Sequence, residues 1–177
     1  MTDVFLERSF DEPLSLDIVK TLLVDAENCL GLYRVRWRES LFAKNRRQML
    51  CRFDAPDAES ARIALRQAGA DVRRLWSGTV HEAPALGPAD QAGANVLVER
   101  AFQEPVTIEE IQALEDAGSA CLQNHRVRFI RTFFSLDRRR MLCLYQAPDA
   151  ESVRVAQRQA AMPLERVWSF RLIRADD

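Results

Sequence analysis

Two carboxylates stand in the middle of otherwise apolar strand patterns. They are the residues best placed by type and spacing to do chemistry. Glu7 lies within Val4–Phe10 and Glu99 within Val96–Phe102. A carboxylate in a buried strand must be paired, hydrogen-bonded or protonated, because leaving water uncompensated is costly. Arg36 and Arg128, in the strand expected next, are the candidate partners, with the adjacent Arg8 and Arg100 as alternatives. Trp76 and Trp168 offer flat apolar walls, and Ser40 and Thr132 offer hydroxyls. Aromatic walls with a few polar groups describe a small-molecule pocket. Glu7, Glu99, Arg36, Arg128, Trp76, Trp168, Ser40 and Thr132 are therefore the candidate ligand-binding set. The same residues also suit a structural ion pair at the seam between two sheets. Both readings stay open.

Other reactive residues give less. Cys121 and His125 are four apart at the end of an expected helix, where one helical face could present both to a soft metal. Two ligands do not make a site, and the equivalent pair earlier in the chain is Cys29 and Tyr33. No metal site is expected. Cys51 and Cys143 lie in apolar strand patterns and read as buried structural thiols. The four cysteines form no Cys-x-x-Cys pair. The basic turns Arg46-Arg47 and Arg138-Arg139-Arg140 could take an anion, but charged hairpin tips are ordinarily solvated. No Gly-rich phosphate loop, nucleophile elbow or metalloprotease His-Glu pair is present. No catalytic residue is assigned, and no cofactor is identified.

The elements that must position these residues are written twice. Val4–Val80 aligns with Val96–Leu172 without a gap, and 32 of the 77 aligned pairs are identical. Ala55-Pro56-Asp57-Ala58-Glu59-Ser60 recurs unchanged from Ala147 to Ser152. A period this long marks a duplicated domain and not a short solenoid repeat. Residues 1–82 and 95–177 are the expected domains, with 83–94, rich in Pro, Gly and Ala, as a linker. Each half reads strand, helix, strand, strand, helix, strand. In the first copy Leu16, Val19, Leu22, Leu23, Ala26 and Leu30 mark a helix over about Leu16–Leu30. Arg34–Phe42 and Met49–Phe53 form an expected hairpin, and Arg73–Val80 the last strand. Pro56, Asp57 and Glu59 open the second helix.

That order is the ferredoxin-like βαββαβ motif, an α+β fold. Both helices cover one sheet face. Val96-Leu97-Val98 and Met141-Leu142-Cys143-Leu144-Tyr145 lack polar alternation, so those strands are expected to be buried on both sides. With no third layer encoded, the expectation is two domains packed sheet to sheet as an intrachain pseudo-dimeric α+β barrel.

The 177-residue chain carries a formal net charge of −1, so no basic surplus points to nucleic acid. No uninterrupted apolar run approaches membrane-spanning length, and the start of the chain does not read as a signal peptide. A soluble cytoplasmic protein is expected, a monomer acting as a pseudo-dimer, with further self-association open.

Arg128-Phe129-Ile130-Arg131-Thr132-Phe133-Phe134-Ser135-Leu136-Asp137, Met141 to Glu151, and Met162-Pro163-Leu164-Glu165-Arg166-Val167-Trp168 resemble a bacterial domain-of-unknown-function family. That family is often labelled nickel-binding protein. The resemblance covers both halves and implies a ferredoxin-like domain that pairs as a dimeric α+β barrel. It implies no known reaction. Nickel-binding members place histidines on the second helix, and the matching stretches here, Arg62–Gly69 and Arg154–Ala161, have none. The functional expectation is a small-ligand-binding protein with a cavity between the two sheets. The alternatives are a divergent metal-binding protein and a cofactor-free monooxygenase or isomerase, the latter by analogy of fold.

Overall fold

A computed structural model describes residues 1–174. Contacts divide the chain into two units. One is Met1–Gly78 with the described end of the chain from Arg171, and the other is Thr79–Phe170. The expected domain limit at 177 lies outside the described residues.

The first unit runs β1 (Thr2–Ser9), α1 (Leu16–Leu32), β2 (Arg36–Ala43), β3 (Gln48–Ala55), α2 (Ala58–Gln67) and β4 (Arg74–Glu82). Its strands are ordered β4-β1-β3-β2 and pair antiparallel. This is the ferredoxin-like arrangement. Alternation along β1 and β3 sends Val4, Leu6, Cys51 and Phe53 toward Val19, Leu30, Ala61 and Ala64 of the helices. Phe5, Leu41 and Leu50 point the other way and are also fully buried. Loss of polar alternation in the sequence thus reports burial on both faces. Ser15 caps α1 by accepting from the Ile18 N–H at 3.2 Å, and Asp57 caps α2 by accepting from that of Ser60 at 2.7 Å. The Ser60 N–H also holds the Asp57 carboxyl below its usual range.

The second unit runs α3 (Pro88–Ala92), β5 (Val96–Ala101), α4 (Ile108–Ala117), α5 (Ser119–Asn124), β6 (Arg128–Ser135), β7 (Arg140–Gln146), α6 (Ala150–Gln159) and β8 (Arg166–Arg174). Its order is β8-β5-β7-β6, again antiparallel where the register is defined. Val96, Val98, Cys143 and Tyr145 pack on Ile111, Leu122, Val153 and Ala156. Leu97, Leu142 and Leu144 occupy the opposite face, fully buried.

Fine backbone geometry recurs at equivalent positions. Left-handed residues fall at Arg34 (φ 58°) and Arg126 (φ 56°), and at the hairpin tips Arg46 (φ 62°) and Arg138 (φ 60°). A register shift interrupts the hairpin between Trp37 and Glu39 in one unit and between Phe129 and Arg131 in the other.

Two local features depart from the sequence reading. Residues 83–94 contain helix α3, whose Asp90 reaches Arg128 at 3.0 Å. The helical segment that follows β5 is broken into α4 and α5 at Gly118, where the first unit has an unbroken α1 with Ala26. A Cβ at Gly118 would lie 2.5 Å from the Ala160 Cβ, so the break coincides with close approach to the end of α6.

Candidate functional site

β5 is flanked by β7 and β8, which fixes what Glu99 can reach. Directly opposite Glu99 on β8 stands Arg166, and Trp168 lies two residues further on the same face. Arg166 Nε donates to Glu99 Oε2 at 2.6 Å, and its Nη2 to Oε1 at 3.2 Å. Trp168 Nε1 donates to Oε2 at 2.9 Å. From the other side, Arg140 on β7 sits diagonal to Glu99 and donates Nη2 to Oε1 at 2.7 Å. The Glu99 side chain is 2% exposed, whereas Arg166 is 49% exposed and open to solvent along its outer edge.

The first unit repeats the plan more loosely. Glu7 is opposite Arg74 on β4. Trp76 Nε1 donates to Glu7 Oε1 at 2.7 Å, and Arg74 Nη1 reaches Oε2 at 3.5 Å. Trp76 also stacks on Phe5 with centroids 4.5 Å apart. The position of Arg140 is held by Gln48. Glu7 is accordingly more exposed than Glu99, at 14%.

These partners correct the expected ones. Arg36 pairs in register with Asp54, four residues along β3 from Leu50, the neighbour of Glu7. Four residues of strand are about 13 Å. β3 also lies between β1 and β2. Arg128 is placed likewise, opposite Gln146, and binds Asp90 instead. Arg8 and Arg100, next in sequence to the glutamates, point to the opposite sheet face because side chains alternate. Arg8 lies over the Phe10 ring at 5.2 Å. Ser40 and Thr132 are also on the helix side, donating to the buried thiols Cys51 and Cys143 at 3.1 and 3.2 Å. The structure therefore joins Glu99 to Trp168 and Glu7 to Trp76, and sets Arg36, Arg128, Ser40 and Thr132 apart from them. Burial pushes the Cys51 thiol up to about 11, with the Ser40 hydroxyl opposing, so this thiol is neutral.

A second polar cluster, buried beneath the helices of the second unit, escaped the sequence reading. Arg100 is fully buried. Its Nη2 donates to Gln157 Oε1 at 2.7 Å and to the Tyr145 hydroxyl at 3.1 Å, and its Nη1 to the Pro163 carbonyl. Tyr145 in turn donates to Glu115, which lies 3.9 Å from Arg100. Burial raises the Glu115 carboxyl, against the Tyr145 hydroxyl and the Arg100 charge, and drives the Tyr145 phenol well above its usual value. The signal was in the aligned copies. Leu23, Phe53 and Leu65 of the first become Glu115, Tyr145 and Gln157 in the second, three apolar-to-polar changes around one retained arginine.

α2 and α6 contain no histidine. His125 follows α5 and shares a hydrogen bond with Gln159 at 2.9 Å. Among the described residues no three of His, Cys, Asp and Glu converge. Also among them, no helix is long and apolar enough to cross a membrane.

The chain resembles solved structures along nearly its whole length. A candidate chlorite dismutase, TA0507, superposes with a TM-score of 0.56 at 12% identity, covering 99% of this chain and 96% of that one. This likeness places the fold among ferredoxin-like α+β proteins. A heme-binding protein from Thermus thermophilus gives a TM-score of 0.48 at 10% identity, covering 97% and 91%. SCO4226 from Streptomyces coelicolor A3(2) matches 42% of this chain and 91% of its own, with 18% identity and a TM-score of 0.38. No curated protein sequence matches the chain. Residues 97–169, which hold Glu99, Arg140, Arg166 and Trp168, match the model of the nickel responsive protein SCO4226-like family, and to that family this part of the chain is similar.

Proposed function

We propose that the protein binds a small organic molecule on the strand face bearing Glu99, with Trp168 and Arg166 as its contacts. One observation carries this reading. A charged cluster is built into a sheet face that also carries the apolar, buried Leu97, Phe133 and Leu142, with the buried Arg131 over the Phe133 ring. An isolated ion pair there adds little stability over apolar packing. Such a cluster has a use if part of it faces a ligand, and Arg166 is the member that does so. Its outer N–H edge and the Trp168 ring suit a ligand with an acceptor group beside a flat apolar body.

The geometry favours binding over catalysis. Four donors from Arg140, Arg166 and Trp168 engage the two oxygens of Glu99. A carboxylate held this way positions its partners and is not poised to take a substrate proton. The looser Glu7 cluster offers a weaker version of the same contacts.

Native mass spectrometry of freshly purified protein tests the reading. Wild type should retain an additional small mass, and Trp168→Ala and Arg166→Gln should lose it while remaining folded. Absence of bound mass after incubation with cell extract, or retention unchanged in both variants, would sink the proposal.

A further inference from the structure

At one end of the second unit, α5, the start of β6 and the end of β7 enclose an open groove of about 640 Å3. Pockets for small ligands run from roughly 300 to 1,000 Å3. Its floor is apolar, built from Leu122, Val127, Phe129 and Pro148. Phe129 is fixed edge-on against Tyr145, with centroids 5.8 Å apart, so the floor includes a held aromatic ring.

The rim has one sign of charge. Arg126 and Arg128 line the groove, and no carboxylate does. Arg128 is neutralised by Asp90 at 3.0 Å. Arg126 has no ionic partner among the described residues, and its backbone is held in the left-handed region at φ 56°. Its guanidinium is thus an unmatched cation beside an apolar floor.

The fold does not impose this charge pattern. At the equivalent positions of the first copy, Ser119 is replaced by Glu27 and Gln146 by Asp54. Asp54 there is answered by Arg38 at 3.4 Å, whose equivalent is the buried Ile130. The second copy therefore lacks both acids and the cation that answers one of them, while keeping both groove arginines.

We infer that this groove binds a small organic carboxylate with a flat apolar body, the carboxylate on Arg126 and the body over Phe129. A guanidinium matches a carboxylate with two parallel N–H donors, and such charge-assisted bonds are stronger than neutral ones. The site is separate from the Glu99 cluster and stands whether or not that cluster holds a ligand.

The test uses the full chain and two probes of nearly equal shape, 2-naphthoate and neutral 2-naphthamide, titrated by calorimetry and by amide NMR shifts. Naphthoate should bind at least about tenfold more tightly than naphthamide, with the largest shifts at Val127, Phe129 and Ala147. Arg126→Gln should weaken naphthoate at least about fivefold. Gln146→Asp, which restores the acid of the first copy, should do the same. Both positions are exposed, and an unchanged melting curve confirms that each variant is folded. Equal affinity for the two probes overturns the inference. So does absence of saturable naphthoate binding, shifts centred elsewhere, or unchanged affinity in either variant.

Discussion

Glu99 and Arg166 face each other directly across the antiparallel β5–β8 pair, with Arg166 Nε 2.6 Å from Glu99 Oε2. The same pairing joins Glu7 and Arg74 across β1 and β4, but at 3.5 Å and with more solvent. One substitution accompanies the difference. Arg140 closes the second cluster from the β7 side, and the first copy has Gln48 there.

Removing the two glutamates should therefore cost different amounts. Glu99→Ala leaves Arg140 and Arg166 without their shared anion at a nearly sealed position. Breaking a buried pair in this way costs about 3–5 kcal/mol. Glu7→Ala removes, among its contacts, a 3.5 Å pair with a half-exposed arginine and one indole hydrogen bond, and should cost less than Glu99→Ala. Urea denaturation of both variants measures the contrast. Equal losses would show that Arg140 adds nothing.

Glu115 should make stability depend on pH in a specific direction. Burial raises its carboxyl above the ordinary 4.5, with the Tyr145 hydroxyl and Arg100 opposing and Asp116 adding to the rise. The folded chain then holds this proton more tightly than the unfolded chain. Its stabilising contribution is complete below the unfolded value and is lost as pH rises through the folded one. Gln cannot ionise, so Glu115→Gln should gain on wild type as pH rises from about 4 to 8. Melting temperatures of the pair across that range give the answer, and a flat or falling difference contradicts the raised carboxyl.

Gly118 and Gly31 should respond to alanine with opposite signs. A Cβ at Gly118 would stand 2.5 Å from the Ala160 Cβ, and overpacking of that kind costs about 1–3 kcal/mol. Gly31 sits in α1 with nothing within 4 Å of its added Cβ. Alanine there should stabilise by about 0.5–1 kcal/mol through helix propensity and a less flexible unfolded chain. Ala160→Gly should partly rescue Gly118→Ala. Thermal melts of the three variants suffice, and a neutral Gly118→Ala would mean that α6 yields at no cost.

The order of elements was legible because strand and helix periods differ and because each was stated twice. Glu7 and Glu99 stood out as acids in apolar runs, and Trp76 and Trp168 as their aromatic companions. Their cationic partners did not. Sequence proximity favoured Arg36 and Arg128, yet partner choice is set by strand order and register, which place β4 and β8 beside the glutamates and β2 and β6 beyond another strand. Arg74 and Arg166 repeat two residues before each tryptophan, on the same strand face, and would have been found by following that alternation. The Arg100 cluster was hidden differently. Only differences between the copies reveal it, and attention to what they share conceals it. The break at Gly118 coincides with the close approach of Ala160, far along the chain, which no local pattern records.

The first unit is not a continuous stretch of polypeptide. The boundary falls inside β4 at Gly78 and inside β8 at Phe170, and the first unit counts Ile173 in its core and Arg174 beside Glu39. During synthesis the amino-terminal unit must therefore wait for residues 171–174 to leave the ribosome before its core is complete, although the remainder of that core was made more than ninety residues earlier. A ribosome stalled within β8 would hold an unfinished first unit, exposed to chaperones and proteases, even with every residue up to Gly78 already outside.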